Sequence, residues 1–179
     1  MKYKKTSILL IAQLLIATSV QARCNLELFR FGSSVAEVER QVTGSKIAIP
    51  DAEDISRQEL FYPGEEICKN EKAFESAPIN FVFLYDKLVE IQVVRLSESP
   101  ILVNWAESIY GEKEKKPRSF YAKKPNTAWV WDNFNAVVFY SIAPDYEGVV
   151  ESIVIQSRRH QRYFEKFSKE EEKLLQGGL

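Results

Sequence analysis

The segment from Thr127 to Ser157 constrains the fold most. It is rich in β-branched and aromatic residues and is broken by turn residues at Asp132-Asn133 and across Ala143 to Gly148. It reads as three antiparallel strands. The rest of the chain then reads as helices and an earlier sheet arranged about them.

The N-terminus has the pattern of an export signal rather than of the fold. Lys2, Lys4 and Lys5 form a basic n-region, Ser7 to Ala17 an apolar h-region, and Val20-Gln21-Ala22 a small-residue cleavage site. The apolar core is about a dozen residues, where a spanning helix needs roughly 20. Cleavage is expected after Ala22, giving a periplasmic or secreted protein without a membrane span. Removal of residues 1–22 takes away three of the 24 basic residues and none of the 25 acidic ones, leaving net −4. A mildly acidic chain disfavours nucleic acid as a partner, since phosphate binding needs a basic surface. Cys24 and Cys68 are the only cysteines, and an exported chain with two most simply pairs them. A lipobox would want small residues before Cys24, and Arg23 stands there instead.

Leu26 to Phe31 reads as a short edge strand ended by Gly32. Ser34 and Glu37 have the spacing of a capping box, and Val35, Val38 and Val42 supply the apolar stripe of a short helix. Gly44 is expected to end it. Gln58 to Tyr62 is a strand, and Pro63 to Pro78 a long loop stapled through Cys68. Ile79 to Tyr85 and Leu88 to Leu96 form a hairpin about Asp86-Lys87. In the return strand Val89, Ile91 and Val93 alternate with Glu90, Gln92 and Val94, the signature of one buried and one wet face. Ser99 and Pro100 open a second helix with Ile101, Leu102, Trp105 and Ile109 buried and Gly111 as its stop. A charged connector, Glu112 to Arg118, leads to the three strands. An amphipathic helix, Arg158 to Gln176, follows them.

The two halves share an order of capped helix, strand, loop and hairpin, with a period of about sixty residues. Tyr85-Asp86-Lys87-Leu88-Val89-Glu90-Ile91 aligns with Tyr146-Glu147-Gly148-Val149-Val150-Glu151-Ser152. Residues 23–97 are the first unit and residues 98–179 the second. The helix opening, Arg30-Phe31-Gly32-Ser33-Ser34-Val35-Ala36-Glu37-Val38 with Val42 and Gly44, resembles that of the small outer-membrane lipoprotein A (OmlA) family. Tandem copies of such a unit resemble the β-lactamase inhibitory protein fold. The resemblance implies an α+β fold of two tandem helix-plus-antiparallel-sheet units forming one curved sheet. It also implies a cell-envelope setting and a protein as partner.

The residues give little support to catalysis. His160 is the only histidine and lies among Arg158, Arg159 and Arg162, so a solvated helix start is expected. No nucleotide-binding or nucleophile-elbow motif occurs. The acids Asp51, Glu53 and Asp54 and the basic run Lys113, Lys115, Lys116, Arg118, Lys123 and Lys124 read as solvated loops. No cofactor or metal is expected.

The aromatic residues are more informative. Trp129 and Trp131 are two apart on one strand and face one side. Either they pack in the core or, with Tyr140, they form an open aromatic binding face. Glu90 and Gln92 would share that face if the two sheets are continuous. The expected function is an exported protein-binding module, an inhibitor or immunity-type protein that blocks its target sterically. The alternative is an assembly factor of the cell envelope.

Overall fold

The period-2 segments all join one sheet. A computed structural model describes residues 24–47, 56–113, 118–119 and 127–177. The strands are β1 (Arg57–Tyr62), β2 (Ile79–Leu84), β3 (Lys87–Ser97), β4 (Arg118–Ser119), β5 (Thr127–Asp132), β6 (Ala136–Asp145) and β7 (Gly148–Ser157). Every pairing is antiparallel, and the order is β1-β2-β3-β7-β6-β5-β4. The helices are α1 (Val35–Gln41), α2 (Gly64–Ile67), α3 (Leu102–Tyr110) and α4 (Gln161–Gly177). The fold is α+β with a C-terminal helix, as the sequence pattern implies. The expected export signal within residues 1–23, the acids at Asp51 to Asp54 and the lysines 115, 116, 123 and 124 lie outside the described residues.

Two hairpins meet side by side. The β2–β3 hairpin and the β6–β7 hairpin join through β3 and β7, in register from Glu90↔Gln156 to Ser97↔Val149. Each hairpin has one further long strand outside it, β1 or β5. The turns hold Tyr85-Asp86 and Tyr146-Glu147, the residues that align in the repeat. Tyr85 and Asp86 take φ of 52° and 58°, the positive values that a two-residue I′ connection needs to match strand twist. The turn is therefore one residue earlier than the Asp86-Lys87 expected. Gly148, at φ 144°, lies so close to the Ser97 carbonyl that a Cβ there would stand 2.2 Å from the oxygen.

Alternation across the register builds the core. Leu60, Phe81, Ile91, Ile155, Val138 and Trp131 form one cross-strand row. Tyr62, Ile79, Val93, Ile153, Tyr140 and Trp129 form the next. Leu26, Val38, Phe74, Leu102 and Trp105 pack over these rows, so one core draws on both halves of the chain.

Several local expectations change. Leu26–Leu28 is a 3-10 turn, not an edge strand, because the Asn25 side chain accepts from the Glu27 amide (2.9 Å) and curls the chain. The capping box at Ser34 forms, with the Ser34 amide donating to Glu37 Oε2 at 2.7 Å. That bond holds the Glu37 carboxyl below the usual carboxylate range. The helix ends at Gln41, before Gly44. The loop after β1 contains α2 and a 3-10 turn, Lys72–Phe74, and the Cys24–Cys68 disulfide ties it to the chain's start across 44 positions. Closing such a loop removes roughly 4 kcal/mol of unfolded-chain entropy in the chain-entropy description.

The second helix has an unexpected cap. Neither Ser99 nor Pro100 begins α3; Ile101 is the N-cap and contributes no side-chain bond. The acceptor comes from the sheet. Glu151, on the core face of β7, is fully buried. Its Oε2 accepts from the amides of Ile101 (2.7 Å) and Leu102 (3.1 Å), and its Oε1 from the Val103 amide (3.3 Å) and the Tyr140 hydroxyl (2.9 Å). The first-turn amides of a helix lack intrahelical partners and carry its positive dipole end, so a carboxylate suits them. Arg95, opposite Glu151 on β3, does the converse by donating to the carbonyls of Ala73 and Glu75 beside the 3-10 turn.

Glu151→Ala leaves three amides and a phenol without their acceptor and is expected to cost about 3 kcal/mol or more. Glu151→Gln keeps the volume, loses the charge, and is expected to cost about 1–2 kcal/mol. Urea unfolding followed by tryptophan fluorescence measures both. An alanine variant within about 0.5 kcal/mol of the parent, the range of ordinary surface changes, contradicts the assignment.

Candidate functional site

The sheet's second face carries the residues that alternate with the core rows. Nearest the first hairpin turn, α4 covers it. Phe167 is buried there, and Tyr163 and Phe164 pack with it against Leu84, Val89 and Tyr85. The Tyr85 hydroxyl donates to Glu170 (2.5 Å) and Lys166 stands 3.8 Å over the Tyr85 ring. Val89 reaches this cluster through a register shift: Val82 pairs with Glu90 but Phe83 with Leu88. The bulge sends Leu88 to the core and Val89 toward α4, so the expected alternation holds for Ile91 and Val93 but not for Val89.

Beyond α4, a polar ladder crosses four strands. Asn80 Nδ2 donates to Glu59 Oε2 (2.8 Å) and Gln92 Oε1 (3.3 Å). Gln92 donates to Glu90 Oε1, and Gln156 Nε2 to Glu90 Oε2 (3.2 Å). Arg57 closes the β1 end through Glu59 Oε1, 2.8 Å from Nε. Burial pushes the Glu90 carboxyl up, against the lowering effect of Gln92, Arg57 and Gln156. Past the ladder the surface turns apolar. Val94 and Leu96 on β3 are 46% and 47% exposed, Val150 and Val154 on β7 are half-buried, and Phe139 lies on β6 across from Val154.

The residues expected to form one binding face therefore divide. Glu90 and Gln92 lie on the open face. Trp129, Trp131 and Tyr140 lie on the opposite, helix-covered face, because their positions in the register match those of Ile153 and Ile155. Trp131 is 6% exposed and Tyr140 2%. The Trp131 indole donates to the Gly111 carbonyl (2.8 Å) just past α3. Tyr140 is spent on Glu151, and burial followed by that bond pushes its phenol up. Trp129 is half-buried at the core's edge, 5.7 Å from the Tyr140 ring centre. The aromatic open face is thus corrected to core for Trp131 and Tyr140, and to core margin for Trp129.

His160 also differs from expectation. It is half-buried, its Nδ1 lies 2.7 Å from Ser157 Oγ, and its ring stacks on Tyr163. Burial, with Arg162, Arg159 and Lys87 nearby, depresses its proton affinity. Among the described residues, no cluster of His, Cys, Asp and Glu is arranged to hold a metal ion. No helix among them is long and apolar enough to cross a membrane. No protein-family model, curated protein or solved structure matches the chain.

The ladder generates a pH test. A raised Glu90 pKa means the native state holds the proton more tightly than the unfolded chain. Its contribution to stability therefore falls as pH rises from the ordinary carboxylate range through the raised value. Glu90→Gln removes that loss. The variant is expected to gain urea midpoint on the parent at about pH 7 and to show a smaller gain at about pH 4. A gain that shrinks with rising pH contradicts the burial argument.

Proposed function

We propose that this is an exported protein-binding module that docks its partner on the open face of the sheet. It acts as a reversible steric blocker, of the inhibitor or immunity type, without a covalent step. The observation that carries the reading is the apolar surface of Val94, Leu96, Val150 and Val154, left open among the described residues, beside a ladder whose polar side chains bond one another. Polar groups satisfied and held in place before contact lose less to desolvation and ordering on binding. Apolar side chains in the middle of such a patch supply the burial.

The export part of the reading is supported by the signal-like leader ending at Ala22 and by the Cys24–Cys68 disulfide, which suits an oxidising compartment. The helix–strand–hairpin order repeated across the β3–β7 seam is compatible with the tandem units that the resemblance implies. The Ser157–His160 pair supports no nucleophile: Ser157 is 1% exposed and turned to a structural bond.

Affinity capture with residues 23–179 as bait tests the reading, with face variants run alongside. The double variant Val94→Asp, Leu96→Asp is expected to stay within about 1 kcal/mol of the parent in stability, as exposed positions do. It is expected to weaken partner binding at least tenfold, roughly 1.4 kcal/mol. Trp131→Ala is expected to cost about 3–5 kcal/mol of stability, as core truncations do. Unchanged affinity in the double variant overturns the docking face. Recovery of outer-membrane assembly proteins, lost in the double variant, replaces the inhibitor role by the assembly role on the same face.

A further inference from the structure

A second site lies at the end of the sheet, remote from Val94 and Leu96. The segment Arg30 to Ser33, the start of β3, the loop before β6 and the Ser157–His160 turn line a half-open cavity of about 650 Å³. That volume falls within the range of about 300–1,000 Å³ usual for small-molecule sites. Two backbone bonds fix the wall: the Gly32 amide donates to the Leu88 carbonyl, and the Leu88 amide to the Ser33 carbonyl, each at 2.8 Å. Gly32, at φ 90°, leaves the room that His160 fills, since a Cβ there would stand 2.7 Å from Nε2. The imidazole is held by Ser157 on one edge and by Tyr163 on its face, and its Nε2 edge is directed at Gly32 in the cavity wall.

The charges in the lining are unequally used. Both acids already serve neighbours: Glu37 accepts from the Ser34 amide, and Glu27 from Asn133 Nδ2 at 3.2 Å. Among the described residues Arg30, Lys87 and Arg159 make no ion pair. Arg159 rests over the exposed Phe134 ring, 5.3 Å from its centre. The lining thus holds three cations against two carboxylates, with Lys87 close enough to act on Glu37, and a histidine whose proton affinity is lowered by burial first and then by Arg162, Arg159 and Lys87; the balance is a small positive excess on a chain that is otherwise slightly acidic.

From this we infer that the cavity binds the dianionic head of a phosphate or sulfate ester. Arg30, Lys87 and Arg159 supply the charge, and the His160 ring in the wall adds a proton-dependent charge beside it. An anion seated there raises the imidazole's proton affinity, and by linkage binding tightens as pH falls and His160 takes up its proton. The charged groups facing the ring are Lys87 from β3, Arg30 from the segment before α1, Arg159 and Arg162 from its own turn and helix, and the two rim acids Glu27 and Glu37.

His160 is the only histidine, so its imidazole proton signals report the site without ambiguity. Sodium sulfate is the probe, because its charge stays at −2 across neutral pH, with sodium chloride at equal ionic strength as control. The expected result is a saturable shift of the His160 signals in sulfate alone, with an upward move of the imidazole titration. Arg30→Gln and Lys87→Gln, both at positions outside the core, are each expected to weaken the apparent affinity about tenfold. Co-sedimentation with phosphatidylcholine vesicles carrying phosphatidic acid separates the ligand sources. Binding lost in the same variants assigns the site to a lipid headgroup, and sulfate binding without vesicle binding assigns it to a soluble ester. A sulfate response equal to chloride, or one unchanged in both variants, overturns the assignment.

Discussion

The buried Glu151 carboxylate is the contact on which the arrangement of layers depends. It sits on the central hairpin, on the face that must stay dry, and it holds the first three amides of α3 and the Tyr140 hydroxyl. A charge in that place is costly unless its lone pairs are filled. The filling comes from backbone donors that no intrahelical bond satisfies. Each half of the arrangement thus removes the other's penalty. The result sets where α3 can lie, and with it the positions of Trp105 and of the Gly111 carbonyl that receives Trp131. Arg95, one strand away, fixes the 3-10 turn of the stapled loop through the opposite polarity.

Fixing the helices on one face leaves the other to a single C-terminal helix. With α4 settled over Leu84 and Val89, the sheet's far end has nothing among the described residues packed upon it. The ladder from Glu59 to Gln156 ties the middle of that face together through bonds among its side chains, although the buried Asn80 Oδ1 has no partner among the described residues. The proposed function rests on this division. The aromatic residues that look like binding anchors in the sequence hold the core together, and the plainer valines and leucine of β3 and β7 carry the proposed contact.

Much of the fold was legible because it depends on short-range rules. The Ser34–Glu37 cap is an i, i+3 pattern and formed as read. Strand alternation located β1 to β3, β5 and β7 within a residue, whereas β6 runs on through Ala143, Pro144 and Asp145, which read as turn residues. What alternation does not reveal is which face is inside. Trp129 and Trp131 were correctly placed on one side together, but the side is set by the pairing of β6 with β7 and of β7 with β3. The cap of α3 lay beyond reach for a related reason, since Ser99 and Pro100 have local credentials and Glu151 is some fifty positions away. The Val89 bulge and the positive φ of Tyr85 likewise depend on twist and packing that no residue type announces. His160 looked solvated because its sequence neighbours are arginines, whereas Gly32 and Ser157 draw it inward.

Amide hydrogen exchange at Ile101, Leu102 and Val103 tests the central claim most directly. First-turn amides of a short helix ordinarily exchange quickly, because no helical carbonyl protects them. A buried carboxylate clasp predicts that all three exchange as slowly as core amides such as Ile153, opening only when the sheet itself opens. Fast exchange at these three, with Ile153 still protected, would contradict the clasp and the account of the layers built upon it.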